Sequence, residues 1–258
     1  MKMMDQVTNA ETREAVGQSV YRLGFWVSML TAVAAAAALG IAVTTAPARS
    51  GPNCPVLVDM GVLESCVEYP YTDVAAFVPI EYIWMYPALL LALLFVVLVV
   101  CIHHYAAVGK RVFSQIALSF AIIAAAIHAI NYFIQLTVVQ PSLLKGELDG
   151  LALFSQYNPH GIFIALEDVG YLMMGIAFLF VAVVFVGRDI LERAIRYTFI
   201  AGSILTVGGL VLFALLYGRD LEYRYEVLSL IVDWIVLIVS GVLLSVFFKR
   251  AGRLGAKI

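Results

Sequence analysis

The stretch GIFIALEDVGYLMMGIAF, residues 161–178, places two adjacent acids, Glu167 and Asp168, inside an apolar run with no Lys or Arg. The run continues apolar to residue 186, which exceeds the roughly 20 residues a helix needs to cross a bilayer core about 30 Å thick. Five further stretches have the same character, and together the candidate spans are 20–46, 79–102, 112–139, 161–186, 197–217 and 227–248. Backbone amides have no water to bond inside lipid, so such segments are satisfied as helices packed in a bundle. The fold class read from the chain is therefore all-α, a polytopic membrane protein with six transmembrane helices.

Composition agrees. The 258 residues are 63% hydrophobic and 13% charged, with a mean hydropathy of +0.96. A soluble domain is about half apolar and about a quarter charged. The net charge of −2 lacks the basic excess of a nucleic-acid binder. No Gly-rich phosphate loop, CxxC pair or HExxH helix is present, so no cofactor is indicated. The partners implied are membrane lipids, with a protein partner or further copies of the chain left open.

Three regions follow from the spans: a polar N-terminal segment (1–19), a transmembrane domain (20–248) and a basic tail (249–258). Sidedness comes from the cations. With the N-terminus in the cytoplasm, twelve Lys and Arg fall inside and only Arg49, Lys145, Arg219 and Arg224 fall outside. That asymmetry places both termini in the cytoplasm and the chain in a cytoplasmic (inner) membrane.

The connection 47–78 then faces outward and carries Cys54 and Cys66, an expected disulfide on an oxidising side. Cys101 stands alone at the inner end of the second span and reads as packing. Tyr82, Trp84 and Tyr86 suit the aromatic belt at the outer interface. Runs of small residues (AVAAAAALG at 32–40, AIIAAAIHA at 121–129, AGSILTVGG at 201–209) allow close approach and make spans one, three and five candidates for the bundle centre.

The depth of the acids decides how much function can be read. Residues 169–186 supply about 27 Å of helix, so Glu167 and Asp168 either lie solvated at the outer edge or just inside it. Asp233 is followed by only fifteen uncharged residues, about 22 Å, and is therefore immersed. His128 lies about 24 Å from the inner face, with Asn131 and Gln135 on the same helical face at i+3 and i+7. Glu226, Ser229, Asp233 and Ser240 form a second polar stripe. Lipid does not tolerate these groups, so the stripes face the interior. The expectation is one outward-facing pocket lined by His128, Asn131, Gln135, Glu167, Asp168 and Asp233, with Tyr171 able to donate into it.

Carboxyls without basic partners must be protonated, share protons or hold a cation, the ordinary parts of proton relays and ion sites. That favours a small transporter or a membrane protein binding a ligand, cation or proton. Interhelical hydrogen bonding competes as the explanation, above all for Asn131 and Gln135. A dedicated metal site is not indicated, because the fifth span offers no ligand pair. An intramembrane enzyme with His128 as base beside a carboxylate is the weaker reading: Ser229 and Ser240 have no evident activating partner, and no catalytic residue is assigned. An accessory, assembly or sensor protein acting through its outer loop is the other alternative.

The run LALFSQYNPHGIFIALEDVGYLMMGIAFLFVAVVF (151–185), followed by LERAIRYTF (191–199), resembles the middle of some prokaryotic multi-pass membrane proteins of unassigned function. The resemblance implies a six-helix fold and carries over no activity.

The orientation is testable by cysteine labelling. A membrane-impermeant maleimide should modify Arg219→Cys in intact cells and Lys110→Cys only after permeabilisation; the opposite pattern would invert the topology.

Overall fold

The computed structural model describes residues 2–187 and 189–255, with side chains from 18 to 253. Most of the N-terminal segment 1–19, Arg188 and the end of the tail therefore lie outside the described residues in whole or in side chain, and with them the cations Lys2, Arg13 and Lys257. The described chain is all-helical, with no strand among these residues. Its elements are α1 (Lys2–Thr45), a short α2 (Cys54–Asp59), α3 (Met85–Tyr105), α4 (Arg111–Ile134), α5 (Gln140–Lys145), α6 (Ile162–Ala182), α7 (Ile190–Tyr217) and α8 (Tyr223–Gly255).

Six segments are long and apolar enough to cross a membrane: 18–45, 80–105, 108–145, 162–182, 190–217 and 223–253. They follow the sequence reading with shifted edges, and two shifts matter for the site. The fourth span stops at Ala182, so only about 21 Å of helix lies beyond Asp168, less than the 27 Å read from apolar residues alone. The sixth starts at Tyr223, which places Glu226 within its first turn.

The third span runs through Pro141 without ending. Proline has no amide proton and its ring clashes with the preceding turn. Here a five-residue π-helical turn, Gln135–Val139, widens the helix just ahead of it, and α5 resumes with the proline in its first turn.

Packing order follows chain order. α1 touches α3, α3 touches α4, α4 touches α6, α6 touches α7, α7 touches α8, and α8 closes the ring on α1. α6 also packs against α8 across the middle, so aromatic side chains rather than a pore fill the interior. Phe95, Phe178 and Phe199 join α3, α6 and α7 with ring centroids 5.7 and 5.4 Å apart. α1 and α8 run antiparallel, with Lys249 over the ring of Phe25 at 5.9 Å, so the two chain ends share one end of the bundle, here termed the terminal end.

Small residues set contacts but not centrality, which corrects one expectation. The most apolar window of the fifth span is 28% buried, against 56% for the second and 50% for the fourth. Gly202 and Gly209 press one face of α7 against Val236 and Leu228 of α8, while its opposite face is left to lipid. At Gly241, a Cβ would sit 2.7 Å from the carbonyl oxygen of Ser28 and 2.9 Å from the Ala32 side chain. The close approach of α8 to α1 depends on that glycine.

At the opposite end, the loop end, residues 46–84 form an ordered cap. Cys54 and Cys66 are joined, with Cα atoms 5.9 Å apart, and Cys101 is free and buried. Two 3₁₀ turns, Ala75–Phe77 and Ile80–Tyr82, carry the chain down into the bundle mouth. This overturns part of the aromatic-belt reading: Tyr82 and Trp84 are buried, and only Tyr86 of the three is exposed. The turns tuck the first two rings under the cap before α3 begins.

Gly241→Ala is expected to destabilise the α1–α8 contact by about 1–3 kcal/mol, because the obstacle is backbone. Gly40→Ala, with nothing within 4 Å, should leave the melting temperature in detergent unchanged. Equal effects of the two would contradict this packing.

Candidate functional site

Glu167 lies on α6 just over one turn from its start and is fully buried. The Glu167 side chain is thus not at a solvated edge, whereas that of Asp168 is only half-buried. Its Oε1 accepts a hydrogen bond of 2.8 Å from the Tyr132 hydroxyl of α4, and Tyr132 and Tyr171 hydroxyls lie 3.0 Å apart. Its Oε2 has no conventional donor among the described residues. Instead it faces a second acid: the Glu226 carboxyl of α8 lies close by on the same cavity wall. Two carboxylates accept and cannot donate, so this proximity needs a shared proton or an intervening cation. Among the described residues no Lys or Arg is buried.

Below the pair lies a closed circuit of aromatic rings. Trp84 meets Tyr132 at 5.4 Å, Tyr132 meets His128 at 5.5 Å, and His128 meets Tyr171 at 4.4 Å. Tyr171 meets Trp234 at 6.5 Å, and Trp234 returns to Trp84 at 5.9 Å. The rings come from the entry to α3 and from α4, α6 and α8, so the circuit ties four elements at one depth. Gly170 makes room for it: a Cβ there would sit 2.6 Å from the His128 ring. Neither ring nitrogen of His128, nor the Trp84 indole nitrogen, has a hydrogen-bond partner among the described residues.

Glu167 and Glu226 face a cavity of roughly 220 Å³ at the loop end, between α1 and α8. Its mouth is built by the cap. Arg49 pairs with Glu81 at 2.5 Å and lies 3.6 Å over the Phe77 ring. Tyr157 donates to the other Glu81 oxygen at 2.8 Å. Burial holds the Tyr157 phenol above its usual pKa, and nearby Tyr82 and Glu81 push the same way, so it stays a donor. Ser50 bonds the Tyr157 carbonyl at 2.5 Å and the Tyr223 hydroxyl at 2.8 Å, fastening the cap to α8. Gly51 has φ +68° and lies against the Tyr223 ring, a position a side chain would not fit.

The remaining sequence-derived candidates lie off the cavity wall. Asn131 donates to the Phe163 carbonyl at 2.9 Å and Gln135 to the Phe154 carbonyl at 2.7 Å, joining α4 to the chain entering α6. They do the work of interhelical hydrogen bonding. Asp233 accepts 2.6 Å from Thr206 of α7, fully buried, about two turns deeper than Glu226 on the same face of α8. Asp168 is half-buried beside Glu167. Of the expected pocket residues, only Glu167 lines the cavity. His128 and Tyr171 stand behind it in the aromatic circuit.

The cavity residues outside that expectation include Arg49, Glu81, Trp84, Tyr157 and Glu226. Glu226 carried a signal, since it heads the polar stripe of α8. The others belong to connections whose fold no periodicity reveals.

No family model, curated protein or solved structure matches this chain.

Tyr132→Phe removes the sole hydroxyl donor to Glu167 Oε1 and should cost about 1–3 kcal/mol of stability. Tyr171→Phe keeps that donor and should cost less. Thermal unfolding in detergent separates them, and the reverse order would contradict the assigned bond.

Proposed function

We propose that this six-helix membrane protein is a small transporter or binding protein that handles protons or cations at its loop-end cavity. The observation that carries the reading is the Glu167–Glu226 pair: two buried carboxyls from different helices, facing one cavity, with no buried cation among the described residues. A carboxylate near a membrane-helix centre costs about 2.5–3.5 kcal/mol to insert, and such groups mark ion pathways and proton relays. In this reading the pair is the loading site, and Tyr132 and Tyr171 extend it inward as hydroxyls able to pass a proton. Asp233 with Thr206 is the next acid along α8. His128 holds the tyrosines in place by ring packing.

With the positive-inside count, the cavity opens on the outer face of a prokaryotic cytoplasmic membrane and both termini are cytoplasmic. A general-base role for His128 has less support, since no hydroxyl or thiol is bonded to it among the described residues. An accessory role through the cap draws on one observation: Val56, Met60, Val62 and Tyr69 are exposed on it.

The test is flux. In proteoliposomes, wild-type protein should carry protons or monovalent cations, and Glu167→Gln should slow this by roughly tenfold or more while leaving the protein folded. Folded wild-type protein with no flux of either kind would overturn the reading and favour the accessory role.

A further inference from the structure

The cavity has two unlike walls. One is charged and aromatic: Glu167 and Glu226, with Trp84 and Tyr223 beside them. The other is hydrocarbon, from Leu39, Ala42 and Val43 of α1 and Val227 and Ile231 of α8. Val43 is 74% exposed, and Val227 and Ile231 are exposed as well, on the surface given to lipid. The hydrocarbon wall therefore runs out sideways between α1 and α8, while the acids lie at the inner end.

The charges are unequal. Arg49 is matched by Glu81, whose second oxygen is held by Tyr157, so that trio is satisfied within itself. Glu167 and Glu226 have no counter-charge paired with them among the described residues. The Glu167 Oε2 and the Trp84 indole nitrogen are buried on the cavity wall without a partner among the described residues.

Each simpler occupant leaves part of this unexplained. A proton does not need an apolar chamber. A hard metal ion takes several oxygen ligands, and no three His, Cys, Asp or Glu are grouped for one among the described residues. A neutral lipid would strand the acids against hydrocarbon, and an anionic one would be repelled. A cation carrying hydrocarbon satisfies both walls: the carboxylates attract an ammonium, and an alkyl chain covers the α1–α8 wall.

We propose that the cavity is a binding site for a lipophilic organic cation, an alkylated ammonium. Its head lies against Glu167 and Glu226, and its hydrocarbon arm leaves between Val43 and Ile231 toward the bilayer. The inference rests on reading the same carboxyls as a cation site, and it names what they hold. Entry is lateral, from lipid, and the Arg49–Glu81 pair closes the aqueous side of the mouth.

Tritiated decyltrimethylammonium, bound to the full-length protein in neutral maltoside micelles, is the probe. Binding should be saturable. Glu167→Gln should weaken it at least about tenfold by removing charge. Ala42→Trp should weaken it comparably by filling the hydrocarbon wall without touching an acid. Ser119→Ala, on the exposed face of α4, should bind as wild type. If Glu167→Gln fails to fold, Ala42→Trp still decides.

Tetramethylammonium should compete poorly, and decanol should not compete. Equal competition by tetramethylammonium would overturn the lipophilic assignment while leaving the cation reading in place. Equal competition by decanol, or binding indifferent to both cavity variants, would overturn recognition of the charge. No binding of either ammonium, together with no flux in liposomes, would remove both readings.

Discussion

Everything distinctive about this bundle depends on Glu167 of α6 and Glu226 of α8 sharing the wall of one cavity. Both carboxyls are taken out of water, and no buried Lys or Arg is present among the described residues to compensate them. Pairing by a proton or cation therefore has to supply what an ion pair would elsewhere. The surrounding structure holds the acids together rather than apart. Tyr132 fixes one oxygen of Glu167, the aromatic circuit braces Tyr132, and Gly170 admits His128 to complete that circuit.

The cap contributes the other half. Its disulfide closes the segment from Cys54 to Cys66, Arg49 pairs with Glu81 within it, and Ser50 fastens it to Tyr223 of α8 and to Tyr157 of the connection before α6. The result is a mouth that is polar and internally satisfied above a chamber that is acidic and unsatisfied. That order matters chemically. A cation arriving from water would meet Arg49 already matched by Glu81, whereas one arriving through lipid would pass along the hydrocarbon wall to reach the free carboxyls.

Much of this was legible in the chain, and the limits have physical causes. Six spans, the interior stripe of α8 and the common face of His128, Asn131 and Gln135 follow from length and helical period, which the bilayer enforces. The separation of bonding residues from cavity residues was not legible. Asn131 and Gln135 look like site residues by type, yet they bond backbone carbonyls, Asn131 that of Phe163 in the first turn of α6 and Gln135 that of Phe154 in a connection whose path has no period. Trp84 reads as an interfacial anchor by its position before α3, and two short turns bury it instead. Glu226 heads the polar stripe of α8 yet stands outside the expected pocket, because the sixth apolar run begins at Val227. The helix itself begins at Tyr223, where the cap docks, and one extra turn carries the acid inside.

The central claim is geometric before it is chemical: the side chains at 167 and 226 lie close by on the wall of one cavity. Cysteines placed at both positions, in a background where Cys101 is alanine and the Cys54–Cys66 disulfide is intact, measure this in native membranes. The account predicts rapid cross-linking of Glu167→Cys with Glu226→Cys by the shortest thiol-reactive linker, and none between Asp168→Cys and Asn131→Cys. Failure of the 167–226 pair to link, while both cysteines remain reactive to a small maleimide, would contradict it.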